Sequence, residues 1–98
     1  MKIKIHKSYR DIVAVCDSDI LGNIYEEGEK QLDIRESFYN GEETKEKELI
    51  EIMKNFASED ATFNIAGKQA VNTALKAGII SKDGIKTVQG VPFALVLL

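Results

Sequence analysis

An α+β fold, a small mixed or antiparallel sheet packed by two helices, is what this sequence predicts, and three stretches carry the prediction. Ile12-Val13-Ala14-Val15-Cys16 is an unbroken, mostly β-branched apolar run of strand length, the pattern of a central strand buried on both faces. Leu49, Ile52, Met53, Phe56 and Ala57 recur at helical spacing, with Lys45, Glu46, Lys47, Glu48, Glu51 and Lys54 mainly on the other faces. Ala61 to Gly78 reads as a short strand that turns directly into a helix. At 98 residues the chain fits one domain with a single core.

Taken in order, Ile3 and Ile5 alternate with Lys2, Lys4 and His6, so the first strand buries one face and leaves His6 on the polar one. The central strand follows and ends at Asp17-Ser18-Asp19, where an aspartate or serine caps the turn through Ile20-Leu21-Gly22. Asn23-Ile24-Tyr25 and Gln31 to Arg35 form a hairpin with Gly28 in its loop. Phe38-Tyr39, beside the turn signal Asn40-Gly41, is an aromatic pair of the kind that either stacks on a nucleobase or plugs one end of a core; in a chain without Trp, core is the expectation.

The first long helix is expected over Glu42 to Ala57, with Asn40 or Thr44 as cap and Glu42 and Glu43 at the positive end of its dipole. In the next unit Phe63 and Ile65 alternate with Thr62 and Asn64, which turns Asn64 away from the face that buries Phe63. Ala70, Val71, Ala74 and Leu75 then make a narrow stripe of small side chains on a helix over Lys68 to Ala77, with Gly78 suited to end it in the left-handed conformation. Ile85 to Val88 is a short strand, Gly90-Val91-Pro92 a bend, and Phe93 to Leu98 a closing strand, interior to the sheet because an uncovered apolar edge would aggregate.

Composition excludes several classes. With 44% hydrophobic and 30% charged residues the chain is an ordinary globular one. A single cysteine permits no internal disulfide and suits a reducing cytoplasm. The alternating N-terminus lacks the apolar core of a secretory signal, and Val91 to Leu98 is far short of the roughly 20 residues that span a bilayer as a helix, so no membrane partner is expected. The net charge of −3 is segregated: residues 1 to 10 hold Lys2, Lys4, Lys7 and Arg10 without an acid, whereas residues 26 to 51 hold ten acids against four bases.

Chemical motifs are sparse. Asp17, Asp19 and Gly22 match the first, third and sixth places of a calcium loop, but Leu21 and Gly28 stand where further ligands belong, and one Cys with one His cannot make a zinc site; no metal or cofactor is expected. Gly67-Lys68 at a helix start resembles a phosphate loop only weakly, because Thr62 replaces the required glycine and Gln69 the magnesium-binding hydroxyl. A simpler anion or small-ligand site, enzymatic or not, remains a candidate there, built from Asn64, the N–H groups around Gly67, and Lys68, with Asp17 joining from the central strand. Cys16, in its apolar run, is expected to be inert, and Ser18 has no histidine near it in sequence.

Val13-Ala14-Val15-Cys16-Asp17 with Leu21-Gly22, then Phe38-Tyr39-Asn40-Gly41, Asn64-Ile65-Ala66-Gly67 with Val71, and Gly90-Val91-Pro92 together make a pattern covering nearly the whole chain. In it the sequence resembles a family of small archaeal proteins known as domain of unknown function four-two-four. The resemblance implies an archaeal cytosolic protein with a loose association with translation machinery, and no established activity. It also implies a histidine after the proline, where this chain has Phe93, which argues against proton transfer at that corner. The leading expectation is a non-enzymatic binding module for RNA or a translation protein, using Lys2, Lys4, Lys68 and Lys76. The second is the ligand site at Asn64 to Lys68. The third is a homodimer through Val91 to Leu98 or through the helix face of Ala70 and Ala74.

Overall fold

The computed structural model describes residues 1–97. Its strands are β1 (Lys2–His6), β2 (Ile12–Cys16), β3 (Ile24–Glu27), β4 (Lys30–Asp33), β5 (Glu42–Glu43), β6 (Thr62–Ala66), β7 (Lys86–Val88) and β8 (Val91–Val96). The helices are α1 (Glu36–Tyr39), α2 (Glu46–Ser58) and α3 (Lys68–Ala77). Six strands form one mixed sheet in the order β5-β1-β2-β6-β8-β7, and β3 and β4 form a separate hairpin.

The unbroken apolar run does become the central strand. β2 pairs antiparallel with β1, Ile3 opposite Val15, and parallel with β6, Val15 opposite Ile65. Period-two alternation then sends its side chains to two cores. Val13 and Val15, with Ile3, Phe63 and Ile65, meet Leu49 and Met53 of α2 and Ala70, Val71 and Ala74 of α3. Ala14, Cys16 and Ala66 on the opposite face meet Leu32 and Ile34 of the hairpin segment, Tyr39 of α1 and Val88 of β7. The second core needs no long helix, since four residues of α1 and a hairpin supply it.

Three expectations change. α2 begins at Glu46 because Glu42 and Glu43 pair with Ile3 and Lys2 as β5, and its cap position is Lys45 with no side-chain cap bond, so neither Asn40 nor Thr44 caps it. The aromatic pair divides: Tyr39 is in the second core, while Phe38 is only partly buried at its margin. Ala70 and Ala74 are 0% exposed inside the first core, so that helix face is spent within the chain and is not available to a second copy. β8 is interior as expected, between β6 and β7; Leu98 lies outside the described residues. Among the described residues, no helix is long and apolar enough to cross a membrane.

β5 also anchors the chain start. Glu43 accepts from the Met1 amine at 2.5 Å and the Ser18 hydroxyl at 2.7 Å, with the Lys2 ammonium at 3.6 Å. The amine bond, then the serine bond, hold its carboxyl down at about 2, from an ordinary 4.5. A carboxylate whose pKa is lower in the folded than in the unfolded chain adds stability above its ordinary value and loses it as pH falls through the folded value. The melting temperature should therefore drop between about pH 4.5 and about pH 2, and drop less steeply in Glu43→Gln, as read by circular dichroism. Equal slopes in the two proteins would show that these contacts contribute nothing.

Candidate functional site

The turn from β6 into α3 is built around a carboxylate from elsewhere in the chain. Asp17, just past β2, is 6% exposed and accepts from the backbone N–H of Gln69 at 3.0 Å and of Ala70 at 2.7 Å. The N–H of Gly67 donates to the Pro92 carbonyl at 2.8 Å. A negative side chain at the positive end of a helix both satisfies orphan donors and complements the dipole. Much of the expected anion site is thus filled from within the chain: the N–H groups of Gly67, Gln69 and Ala70 are bonded, and the Asp17 carboxylate stands at the helix end where a ligand anion was expected. Gly67 is required by the close approach, because a Cβ there would lie 2.4 Å from the Asp17 carboxyl carbon. Lys68 remains exposed, beside a cleft of about 230 Å³ that it lines with Asp17, Asp19, Gly67 and Pro92.

Asn64 does not belong to that cleft. Its strand position opposite Ala14 and Leu95 puts it on the face away from α2 and α3, where it lines a cleft of about 330 Å³ with Asp33, Arg35, Ser37, Phe38 and Tyr39. The four residues expected to act together are thus divided between two sites.

The second cleft has the features of a recognition site. Tyr39 is 6% exposed, yet its hydroxyl has no hydrogen-bond partner among the described residues, and no side-chain polar atom is both fully buried and unpartnered. The hydroxyl is therefore not fully buried, and the residue is one of those lining the cleft. Burial above all, and then Cys16 and Asp33, push its phenol up to about 12, so the hydroxyl keeps its proton at neutral pH. The Asn64 amide likewise has no protein partner among the described residues. Arg35 donates to Asp33 at 2.9 Å, which makes that wall of the cleft a near-neutral pair. His6, expected to be solvated, instead stacks on Phe38 with ring centroids 4.6 Å apart and donates through Nε2 to the Phe38 carbonyl at 2.8 Å.

A family model described as "Protein of unknown function (DUF424)" matches residues 6–98. The chain belongs to the DUF424 family. A solved structure described as "Crystal structure of an uncharacterized conserved protein from Methanopyrus kandleri" is similar at 25% identity, with a TM-score of 0.86 over 97% of this chain and 88% of that one. Its source agrees with the archaeal origin that the resemblance implies. No curated protein matches the chain.

In this DUF424 fold the four lysines do not make one basic face. Lys2 and Lys4 project from β1 on the hairpin side, alternating with Ile3 in the helix-side core. Lys76 sits in the helix layer, bonded to Glu46 of α2 at 2.6 Å. Lys4 donates to the Ser37 carbonyl at 2.9 Å, and Lys2 lies near Glu43. Cys16, 0% exposed, is pushed up to about 11, chiefly by burial, and stays a thiol. Nothing in the sequence singles out Asp33, Arg35 or Ser37 for this cleft, and Tyr39 reads there as core. The one available signal was the aromatic pair beside a turn, which read as core and proves to be core on one side and cleft on the other.

Proposed function

We propose that this protein is a small binding module whose recognition site is the cleft between α1 and β6. The observation that carries it is Tyr39, a residue only 6% exposed that lines the cleft and whose hydroxyl has no hydrogen-bond partner among the described residues. A volume of about 330 Å³ suits a small ligand or one residue of a larger one. The Tyr39 hydroxyl, the Asn64 amide, Ser37 and the Arg35–Asp33 pair converge there as hydrogen-bonding groups. No nucleophile among them is hydrogen-bonded to a base, which favours recognition over catalysis. The buried free thiol of Cys16 supports a reducing cytoplasm as the setting. RNA, as a partner, fits a small polar pocket better than it fits the lysines, three of which already have partners within the chain.

Two substitutions test the site. Tyr39→Phe and Asn64→Leu should each change stability by less than about 0.5 kcal/mol, since neither removes a protein hydrogen bond. Each should weaken binding in an NMR titration against nucleosides, amino acids and sugar phosphates. In the parent protein the perturbed amides should be those of Ser37, Phe38, Tyr39 and Asn64. Perturbations confined to other surfaces would overturn the proposal.

A further inference from the structure

Resting on the reading of this cleft as the recognition site, we infer that it takes a nucleobase, stacked on Phe38 with its hydrogen-bonding edge against Asn64. Phe38 is held by two neighbouring rings. His6 covers one face of the ring at 4.6 Å and 17° from parallel, and Tyr39 meets it edge-on at 5.0 Å and 80°. Because the His6 ring also bonds the Phe38 backbone carbonyl, ring and main chain are clamped together before any ligand arrives. Preorganisation of this kind lowers the ordering cost of binding.

The sheet places the rest. His6 stands on β1, opposite Ile12 of β2, while Asn64 stands on β6, on the far side of β2 and opposite Ala14. Phe38, stacked on His6 and lining the cleft that Asn64 also lines, bridges the central strand between them. A flat ring entering the cleft extends a stack already two rings deep.

The polar groups select among flat rings. A primary amide presents one donor edge and one acceptor edge, the pattern that pairs two-pointed with a base edge. The Tyr39 hydroxyl adds a second donor. Charge argues for the base over the phosphate as the bound part: Arg35 is paired with Asp33, the Lys4 ammonium is on the Ser37 carbonyl, and the chain carries −3 overall. An anion would find no uncommitted cation lining this cleft, whereas a neutral ring needs none.

The base comes either from a free nucleoside or from an unpaired position in RNA, and the test separates them. Adenosine, guanosine, cytidine and uridine, single-stranded homopolymers of each, and a duplex RNA are titrated into the labelled protein, with leucine and ribose 5-phosphate as non-base probes. Expected are saturable upfield shifts of the Phe38 ring protons, a ring-current signature of stacking, for at least one nucleoside or its single strand and not for the duplex. Phe38→Leu, which keeps the apolar bulk and whose fold is checked by circular dichroism, should weaken that binding about tenfold or more. Asn64→Leu should flatten the preference among the four bases. Tighter binding of the strand than of its nucleoside identifies RNA as the source; equal binding identifies the free nucleoside. Binding of leucine or ribose 5-phosphate in the cleft with no response to any base would overturn the nucleobase and leave the recognition site standing. Silence of the cleft toward every probe would overturn both, and wild-type base affinity in Phe38→Leu would overturn the stacking.

Discussion

Gly67→Ala is expected to destabilise the fold by about 3 to 4 kcal/mol, the sum of a backbone term and a packing term. The backbone term arises because Gly67 has a φ of +106°, which an L side chain rarely adopts. The packing term arises because the new methyl would lie 2.4 Å from Cγ, 2.6 Å from Oδ1 and 2.8 Å from Cβ of Asp17. Neither partner has room to retreat. Asp17 is held by the N–H groups of Gln69 and Ala70, and Gly67 is tied on both sides, its N–H to Pro92 and its carbonyl accepting from Val71 at 2.9 Å. Asp17→Ala alone should cost about 2 kcal/mol, since it strips the acceptors from two helix donors, one of them buried. The double variant should be less destabilised than the two single losses added together, by about 1 kcal/mol or more, because alanine at 17 removes the two atoms nearest the new methyl, Cγ and Oδ1, and leaves only its Cβ at 2.8 Å. Urea denaturation of the four proteins measures the cycle. Strict additivity would mean that the two residues do not meet.

What was legible in the sequence was whatever is encoded locally. The β-branched run of β2, the apolar stripe of α2 and the small-residue stripe of α3 each state their own period, and burial follows from the period. β5 was not legible, because two glutamates ahead of an amphipathic helix look like its first turn. Only their pairing with β1, far away in the chain, makes them a strand. Asp17 shows the same limit. Its partners at the start of α3 are more than 50 residues on, at separations of 52 and 53, so a reading by neighbours saw an open helix terminus where the fold supplies a carboxylate. For Asn64 the alternation correctly turned the side chain away from Phe63, but its cleft is completed by α1, whose position over the sheet no periodicity reports. Charge segregation along the chain does not report layers for a related reason: Lys2 and Lys76 lie on different layers, each beside a glutamate.

Gly41→Ala is expected to cost about 3 kcal/mol by a different route, with no strained φ involved. A Cβ at this position would fall 2.0 Å from the Ile3 carbonyl oxygen and 2.8 Å from its carbon, and 3.1 Å from Lys4 Cα. These are backbone atoms of β1, which is held from its other side by β2 with Ile3 opposite Val15, so β1 does not give way. The movement must come from the segment carrying the new methyl. β5, only two residues long, should peel from β1, and with it the Glu43 contacts to the Met1 amine and Ser18, and the bond from the Thr44 N–H to the Met1 carbonyl at 2.7 Å. The loss is bounded by what that edge contributes, so it should appear as local opening before global unfolding. Amide hydrogen exchange should speed up at Glu42 to Thr44 and stay slow in β2 and β6. A second consequence ties this edge to the acid response: once Glu43 has lost its partners its carboxyl returns toward the ordinary value, and Gly41→Ala should show the same shallow pH slope as Glu43→Gln. Unchanged exchange at Glu42 to Thr44, or a wild-type acid slope, would show that the chain accommodates the methyl without releasing β5.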